Sequence, residues 1–176
     1  MKKPSVTQVI KPFIDTDWFK PEHAERGTAV HAASTSYLLG LWVPPLRAEH
    51  QPYFDSFRRW ADMTVDKVIL AEERLVDLDL GFSGRPDLIC VIKGDDKPSL
   101  PDIKTGQQYQ KWWRIQAAAY RHLALKAKGI HIHRAFSVRT KSDGSGCLTT
   151  PEYPKNYAGD FNLFLGCLNM YRFLNQ

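Results

Sequence analysis

The sequence lacks any apolar run near the roughly 20 residues that would cross a bilayer. It opens Met1-Lys2-Lys3-Pro4-Ser5 with no long apolar stretch behind it. Neither a membrane span nor a secretory signal is expected, and the cytoplasm is the expected compartment. Cysteine is scarce. Cys90, Cys147 and Cys167 are the three, far apart and with no CxxC pair. That argues against a disulfide framework, a structural zinc and a four-cysteine iron–sulfur site; three buried, reduced thiols are expected instead. Internal repeats, low-complexity tracts and linkers are missing too. So is a Gly-x-x-x-x-Gly-Lys phosphate loop, so any ATP-driven unwinding would have to come from another protein.

What remains has the balance of a soluble globular chain. The 176 residues are 43% hydrophobic and 24% charged, enough for one domain with a real core. A single domain over 1–176 is expected. Residues 1–22 hold Pro4, Pro12 and Pro21 and read as an irregular lead-in, pinned to the body by Trp18 and Phe19. The net charge of +5 suits a polyanionic partner but does not identify one.

Periodicity divides the rest. Residues 22–39 read as a helix, with Val30, Ala33 and Tyr37 at helical spacing and Gly40 as its C-cap. A second helix over 47–64 places Tyr53, Phe57, Trp60 and Ala61 on one stripe. Residues 73–82 alternate, with Val76, Leu78, Leu80 and Phe82 on one face and Asp77 and Asp79 on the polar one, which predicts a half-buried strand. Gly81-Phe82-Ser83-Gly84 reads as a turn. Leu88-Ile89-Cys90-Val91-Ile92 is apolar on both faces and reads as a central strand. A short strand over 100–104, a helix over 109–128 ended by Gly129, a hairpin of 131–140 with 147–152, and an amphipathic helix over 157–174 complete the order. The last helix carries Phe161, Phe164, Leu165, Leu168 and Tyr171 as its apolar stripe. The expected fold class is α/β: one layered domain with a mixed central sheet of about five strands flanked by helices.

Asp102-Ile103-Lys104 is the centre of the chemistry. Residues i and i+2 of a strand share a face, so Asp102 and Lys104 project together while Ile103 points inward. Asp102 can bind a hard cation, Lys104 can hold a water or a phosphate beside it, and the Ile103 carbonyl offers a further oxygen. One carboxylate holds Mg²⁺ poorly. Asp87, in Gly84-Arg85-Pro86-Asp87, supplies a second. A two-residue turn at Gly94-Asp95 would set it opposite Asp102, although Pro98 and Pro101 favour a looser turn. Such a set suits phosphodiester hydrolysis, where divalent ions neutralise developing charge and lower the pKa of a bound water. A second ion would need another ligand, and His31 is the candidate; a histidine of the core or surface is the other reading. Of Glu72 and Glu73, one could add an acid, though a solvated strand end is the simpler reading. Tyr109-Gln110-Lys111-Trp112-Trp113-Arg114 interleaves bases and aromatics that suit nucleic acid, with at least one tryptophan expected in the core. Arg85 and Lys93 are weaker candidates.

Taken in order, Arg26-Gly27-Thr28-Ala29-Val30-His31, Gly84-Arg85-Pro86-Asp87, Asp102-Ile103-Lys104-Thr105 and Gln116-Ala117-Ala118-Ala119-Tyr120 resemble the motifs of the RecB-like, lambda-exonuclease-like branch of the PD-(D/E)xK nucleases. They span residues 26–120, about half the chain. The resemblance implies a restriction-endonuclease-like core and a DNA-cleaving enzyme using Mg²⁺ or Mn²⁺, with exonuclease action favoured over endonuclease. It implies Asp87 and Asp102 as metal ligands, Lys104 as the catalytic lysine, His31 ligating or orienting a metal, and Gln116 and Tyr120 positioning Lys104 or the phosphate. The i, i+4 spacing of the last two puts both on one helix face. DNA, single- or double-stranded, is the implied partner, and a recombination or helicase protein a further one; oligomerisation stays open. Some relatives bind an iron–sulfur cluster through four cysteines, which three scattered ones cannot do in that way. A catalytically silent binding module and an interaction subunit of a larger nuclease or helicase complex are the alternatives.

Overall fold

Ser5 opens the first element. Its hydroxyl accepts from the Gln8 amide, and the Gln8 side chain accepts from the Ser5 amide, a reciprocal box that satisfies donors a helix start leaves bare. The helix is α1 (Val6–Ile10), followed by one 3₁₀ turn (Lys11–Phe13). The lead-in is therefore not irregular throughout, as its prolines had suggested, and Val6, Val9 and Ile10 enter the core. The computed structural model describes residues 3–14, 20–106 and 108–176; Trp18 and Phe19 lie outside the described residues.

Helix α2 (Pro21–Leu38) ends at left-handed Gly40 (φ +64°). Helix α3 (Gln51–Thr64) buries Tyr53, Phe57, Trp60 and Ala61. Next comes a strand the periodicity hid, β1 (Val65–Ala71). It is an edge strand with two register shifts against its neighbour, so its apolar residues do not alternate cleanly.

Residues 73–82 are not one strand. They begin a hairpin of β2 (Leu75–Asp77) and β3 (Phe82–Gly84), turning at 78–81. The cause is Asp77, whose carboxylate accepts from the amides of Asp79 and Leu80, both at 2.8 Å. An aspartate bonding its own chain two residues on favours a turn over a continuing strand. Asp77, expected on the polar face, is thus fully buried, and Leu78, expected on the apolar one, is 76% exposed. The expected turn at 81–84 is the returning strand instead. Gly84 there has no room for a side chain: an added Cβ would lie 2.7 Å from Tyr120 and 2.8 Å from Leu123.

Asp77 also holds His122, with Nε2 2.6 Å from Oδ2. Burial pushes the Asp77 carboxyl up, but the Leu80 amide, His122 and the Asp79 amide outweigh it and hold it below the ordinary 3.8. A depressed carboxyl stabilises the fold above its unfolded value and stops doing so as pH falls through the folded one. In urea titrations, Asp77→Asn should therefore be clearly less stable than wild type at neutral pH. The gap should close as the pH drops below about 4; a gap independent of pH would refute this role for the charge.

The remaining elements are β4 (Leu88–Ile92), β5 (Pro98–Lys104), α4 (Trp113–Lys128), β6 (Arg134–Arg139), β7 (Leu148–Thr149) and α5 (Ala158–Leu174). Five strands form one sheet in the order β1-β4-β5-β6-β7. β5 and β6 pair in parallel and the other neighbours antiparallel, so the sheet is mixed as expected. A parallel pair needs a crossover, and α4 provides it. α4 starts four residues later than expected and ends at left-handed Gly129 (φ +68°). One face of the sheet packs on α1, α4 and α5 through residues such as Ile89, Leu100, Ala119, Leu123 and Phe164. The other packs on α3 through Leu88, Cys90, Ile103, Phe57 and Trp60. That two-sided burial explains the unbroken apolar run of β4. All three cysteines are free, but only Cys90 is fully buried; Cys147 and Cys167 are partly exposed.

Candidate functional site

The register of β4 and β5 sets the two aspartates. Cys90 pairs with Ser99 and Val91 with Pro98, and the same register continued outward brings Asp87 opposite Asp102. This is the alignment a tight turn at Gly94-Asp95 would produce, although β4 and β5 actually stop well short of those residues. Asp87 Oδ2 accepts the Ile103 amide at 2.6 Å, which fastens the start of β4 to the middle of the Asp-Ile-Lys segment.

The other oxygen of Asp87 faces α2. His31 Nδ1 lies 3.2 Å from Asp87 Oδ1 and 3.7 Å from Glu72 Oε1. One ligand atom from each of His31, Glu72 and Asp87 falls within 4.8 Å of the others. Two ligands of one Mg²⁺-sized ion, each bound at about 2.1 Å, are at most about 4.2 Å apart, so little contraction would be needed to share one. Burial works to lower the His31 pKa, but the Asp87 charge and hydrogen bonds to Asp87 and Glu72 raise it to about 10. A cation between two acids is what this pocket favours.

Glu72 is the site residue that sequence reading set aside. It follows β1 directly, and its amide bonds back to the carbonyls of Pro86 and Asp87. It is also the one non-glycine residue among those described with a left-handed backbone, at φ 51°. Strain of this kind persists where surrounding structure imposes it, often at functional sites. Recognising β1 as a strand would have placed Glu72 beside Asp87. Glu73 instead pairs with Lys128 at 2.5 Å, outside the site.

Asp102 and Lys104 lie on the α4 side of the sheet, and the Ile103 side chain lies in the opposite core. Lys104 Nζ is 2.7 Å from Asp102 Oδ2 and donates to Gln116 Oε1 at 2.9 Å; Gln116 Nε2 donates to the Tyr120 hydroxyl at 3.1 Å. Gln116 and Tyr120 thus form a relay that steers the ammonium. Burial, aided by the Asp87 charge and opposed by Lys104, pushes the Asp102 carboxyl up to about 6. Asp102 is only 2% exposed, and its Oδ1 has no hydrogen-bond partner. A buried, unpaired carboxylate oxygen is costly and calls for a ligand.

Of these groups, His31, Glu72 and Lys104 line a cleft of about 990 Å³, walled also by Gly27 and Thr28 of α2, by Thr7 and Lys11 of the lead-in, and by Thr105, Gln110, Trp112 and Trp113 around the start of α4. The lead-in wall had no signal in the sequence beyond the capping pattern. Trp112 lines the cleft half-buried; Trp113 is the core tryptophan. Both rings lie near Lys104 Nζ, at 5.7 and 5.6 Å. Arg26 bonds the Thr105 carbonyl at 3.2 Å and stacks on Tyr53, fixing α2 to the end of β5 and to α3. The expected basic contacts are less concentrated. Arg114 is held by Asp160 at 2.9 Å, Lys93 bonds the Asp62 carbonyl, and Arg85 and Lys111 are exposed residues outside the cleft lining.

No protein-family model matches the chain, and no curated protein matches it. Among solved structures it is similar to an alkaline exonuclease from Laribacter hongkongensis, 16% identical, with 99% of this chain and 92% of that one covered and a TM-score of 0.39. A likeness of that degree carries neither fold nor chemistry, which stand on the geometry above.

Proposed function

We propose that this chain is a metal-dependent nuclease that hydrolyses DNA phosphodiester bonds, acting as an exonuclease in recombination, repair or phage DNA processing. One observation carries the reading: an acid–histidine cluster and an Asp–Lys–Gln relay, drawn from α2, β5, α4 and the segments after β1 and before β4, meet beside one cleft. Mn²⁺ or Mg²⁺ held by His31, Glu72 and Asp87, with Asp102 and the Ile103 carbonyl alongside, would neutralise charge on the phosphate and lower the pKa of a bound water. One imidazole among carboxylates makes Mn²⁺ the better match of the two.

The chain's own groups then have distinct tasks. Lys104, aimed by Gln116 and Tyr120, orients the attacking water or offsets charge on the phosphate. Asp102 pairs with the Lys104 ammonium and holds it in place. Trp112 gives a flat face for a base at the cleft wall. A cleft of this size matches sites that take small ligands, about 300–1,000 Å³. It has room for a few nucleotides of one strand; the preference for attack at an end comes from the motif resemblance. No described helix is long and apolar enough to cross a membrane.

The test is cleavage of linear and circular DNA, single- and double-stranded, with Mg²⁺, Mn²⁺ or EDTA, for wild type beside Lys104→Ala. Metal-dependent loss of linear DNA, reduced at least about 100-fold in the variant, is expected. Nicking of circles would replace exonuclease with endonuclease action. A folded wild type that binds DNA but cleaves none of these substrates would leave a silent binding module.

A further inference from the structure

A second chain of hydrogen bonds reaches Asp102 from β6. Asp102 and Ser137 are register partners in the parallel β5–β6 pair, so their side chains stand on one face of the sheet. The Ser137 hydroxyl donates to Asp102 Oδ2 at 3.4 Å, and the Tyr153 hydroxyl lies 2.7 Å from Ser137 Oγ. An ionised carboxylate only accepts. The single Ser137 proton therefore goes to Asp102, and Tyr153 donates to Ser137 in turn. Burial pushes the Tyr153 phenol up to about 12, so at neutral pH it keeps the proton it donates. The 3.4 Å contact is long, as catalytic hydrogen bonds often are before substrate binds.

Packing alone does not ask for these hydroxyls. Ser137 and Tyr153 are buried, where a hydroxyl costs free energy unless it is bonded. Ala135, the preceding residue on that face of β6, is an apolar residue of similar size in the same core. The backbone fixes both donors. The Ser137 amide donates to Thr150 Oγ1 at 3.0 Å, and its carbonyl accepts the Thr150 amide at 2.9 Å. The Tyr153 amide donates to the Ala135 carbonyl at 2.8 Å. Residues 150–153 thus run along β6 and deliver the phenol to Ser137.

We propose that Ser137 and Tyr153 are positioning residues for Asp102, fixing which of its oxygens serves Lys104 and which serves the metal. Oδ2 also receives the Lys104 ammonium at 2.7 Å, while Oδ1 has no partner. Two donors on one oxygen stop the carboxylate from turning. Without the Ser137 hydroxyl, Asp102 is free to turn both oxygens toward the ammonium, and the oxygen kept for the metal is lost. Groups that hold a metal ligand in this way are worth about 10–100-fold in metal affinity or activity. This role rests on the nuclease reading, but neither residue belongs to the motifs that suggested it, which end at Tyr120.

Ser137→Ala, Tyr153→Phe and the double variant test it, at a temperature where circular dichroism shows each of them folded. Mn²⁺ affinity is read by electron paramagnetic resonance, and kcat and KM on linear DNA. Ser137→Ala should weaken Mn²⁺ binding and lower kcat, each by about tenfold. KM for DNA should stay near the wild-type value, since neither residue lines the cleft. Tyr153→Phe should cost less, about threefold. The double variant should match Ser137→Ala, because Tyr153 reaches Asp102 through Ser137; independent structural losses would multiply instead. Multiplied losses, or wild-type Mn²⁺ affinity and kcat in Ser137→Ala, overturn the proposal. A wild type that binds Mn²⁺ but cleaves no DNA refutes the nuclease reading alone, and the Mn²⁺ affinities of the variants then decide the role of Ser137. A wild type that neither binds Mn²⁺ nor cleaves DNA overturns both.

Discussion

Asp87→Ala is expected to reduce metal-dependent cleavage by at least about a thousandfold and to destabilise the fold by about 1–3 kcal/mol. The two losses come from different oxygens. Oδ1 faces His31 within the group that includes Glu72, where a cation is expected to sit. Oδ2 accepts the amide of Ile103, a buried donor that alanine would leave bare. Asp87→Asn separates the two effects. Its amide oxygen still accepts from Ile103, so most of the stability should return, while the lost charge should keep cleavage and Mn²⁺ binding low. Urea unfolding, Mn²⁺ titration followed by electron paramagnetic resonance and a linear-DNA assay on the three proteins would show the split. Wild-type cleavage by Asp87→Asn would end the assignment of this cluster as the metal site.

Phe164→Ala should be the costliest substitution away from the site, at about 3–5 kcal/mol. Phe164 is fully buried, its ring 4.8 Å from Phe82 and 6.0 Å from Phe161. It locks α5 onto the β2–β3 hairpin, and that hairpin is small and separate from the main sheet. For a chain of this length the melting temperature should fall by roughly 10 °C. At a temperature where the variant remains folded, cleavage should be near wild type, because Phe164 lies outside the cleft lining. A loss below about 1 kcal/mol would mean that the α5 contact is far looser than the structure has it.

The helices and the two central strands could be read from the sequence because each has one dominant signal. α3 has its apolar stripe, α4 has Gly129 at its end, and β4 is apolar throughout. Elsewhere two signals competed. Alternation over residues 73–82 suggested a strand, but the Asp77 side chain bonds its own backbone and bends the chain. In β1, register shifts spoil the alternation of an edge strand. In α1, prolines on either side drew attention from the Ser5–Gln8 box. The site followed the same rule. The shared face of Asp102 and Lys104 needs only the period of a strand, and the i, i+4 placement of Gln116 and Tyr120 only that of a helix. Glu72 needed a tertiary fact, the pairing of β1 with β4, that no local pattern contains.

The docking of α1 has a consequence for how the protein is made. Val6, Val9 and Ile10 pack against α4 and α5, more than a hundred residues further along the chain. Until those helices exist, the segment has only β3 to pair with, and the rest of its apolar face stays exposed on the growing chain. Its Thr7 and Lys11 also form a wall of the cleft. That wall can therefore settle into place only once α4 and α5 have left the ribosome, so the cleft is among the last features of the molecule to form.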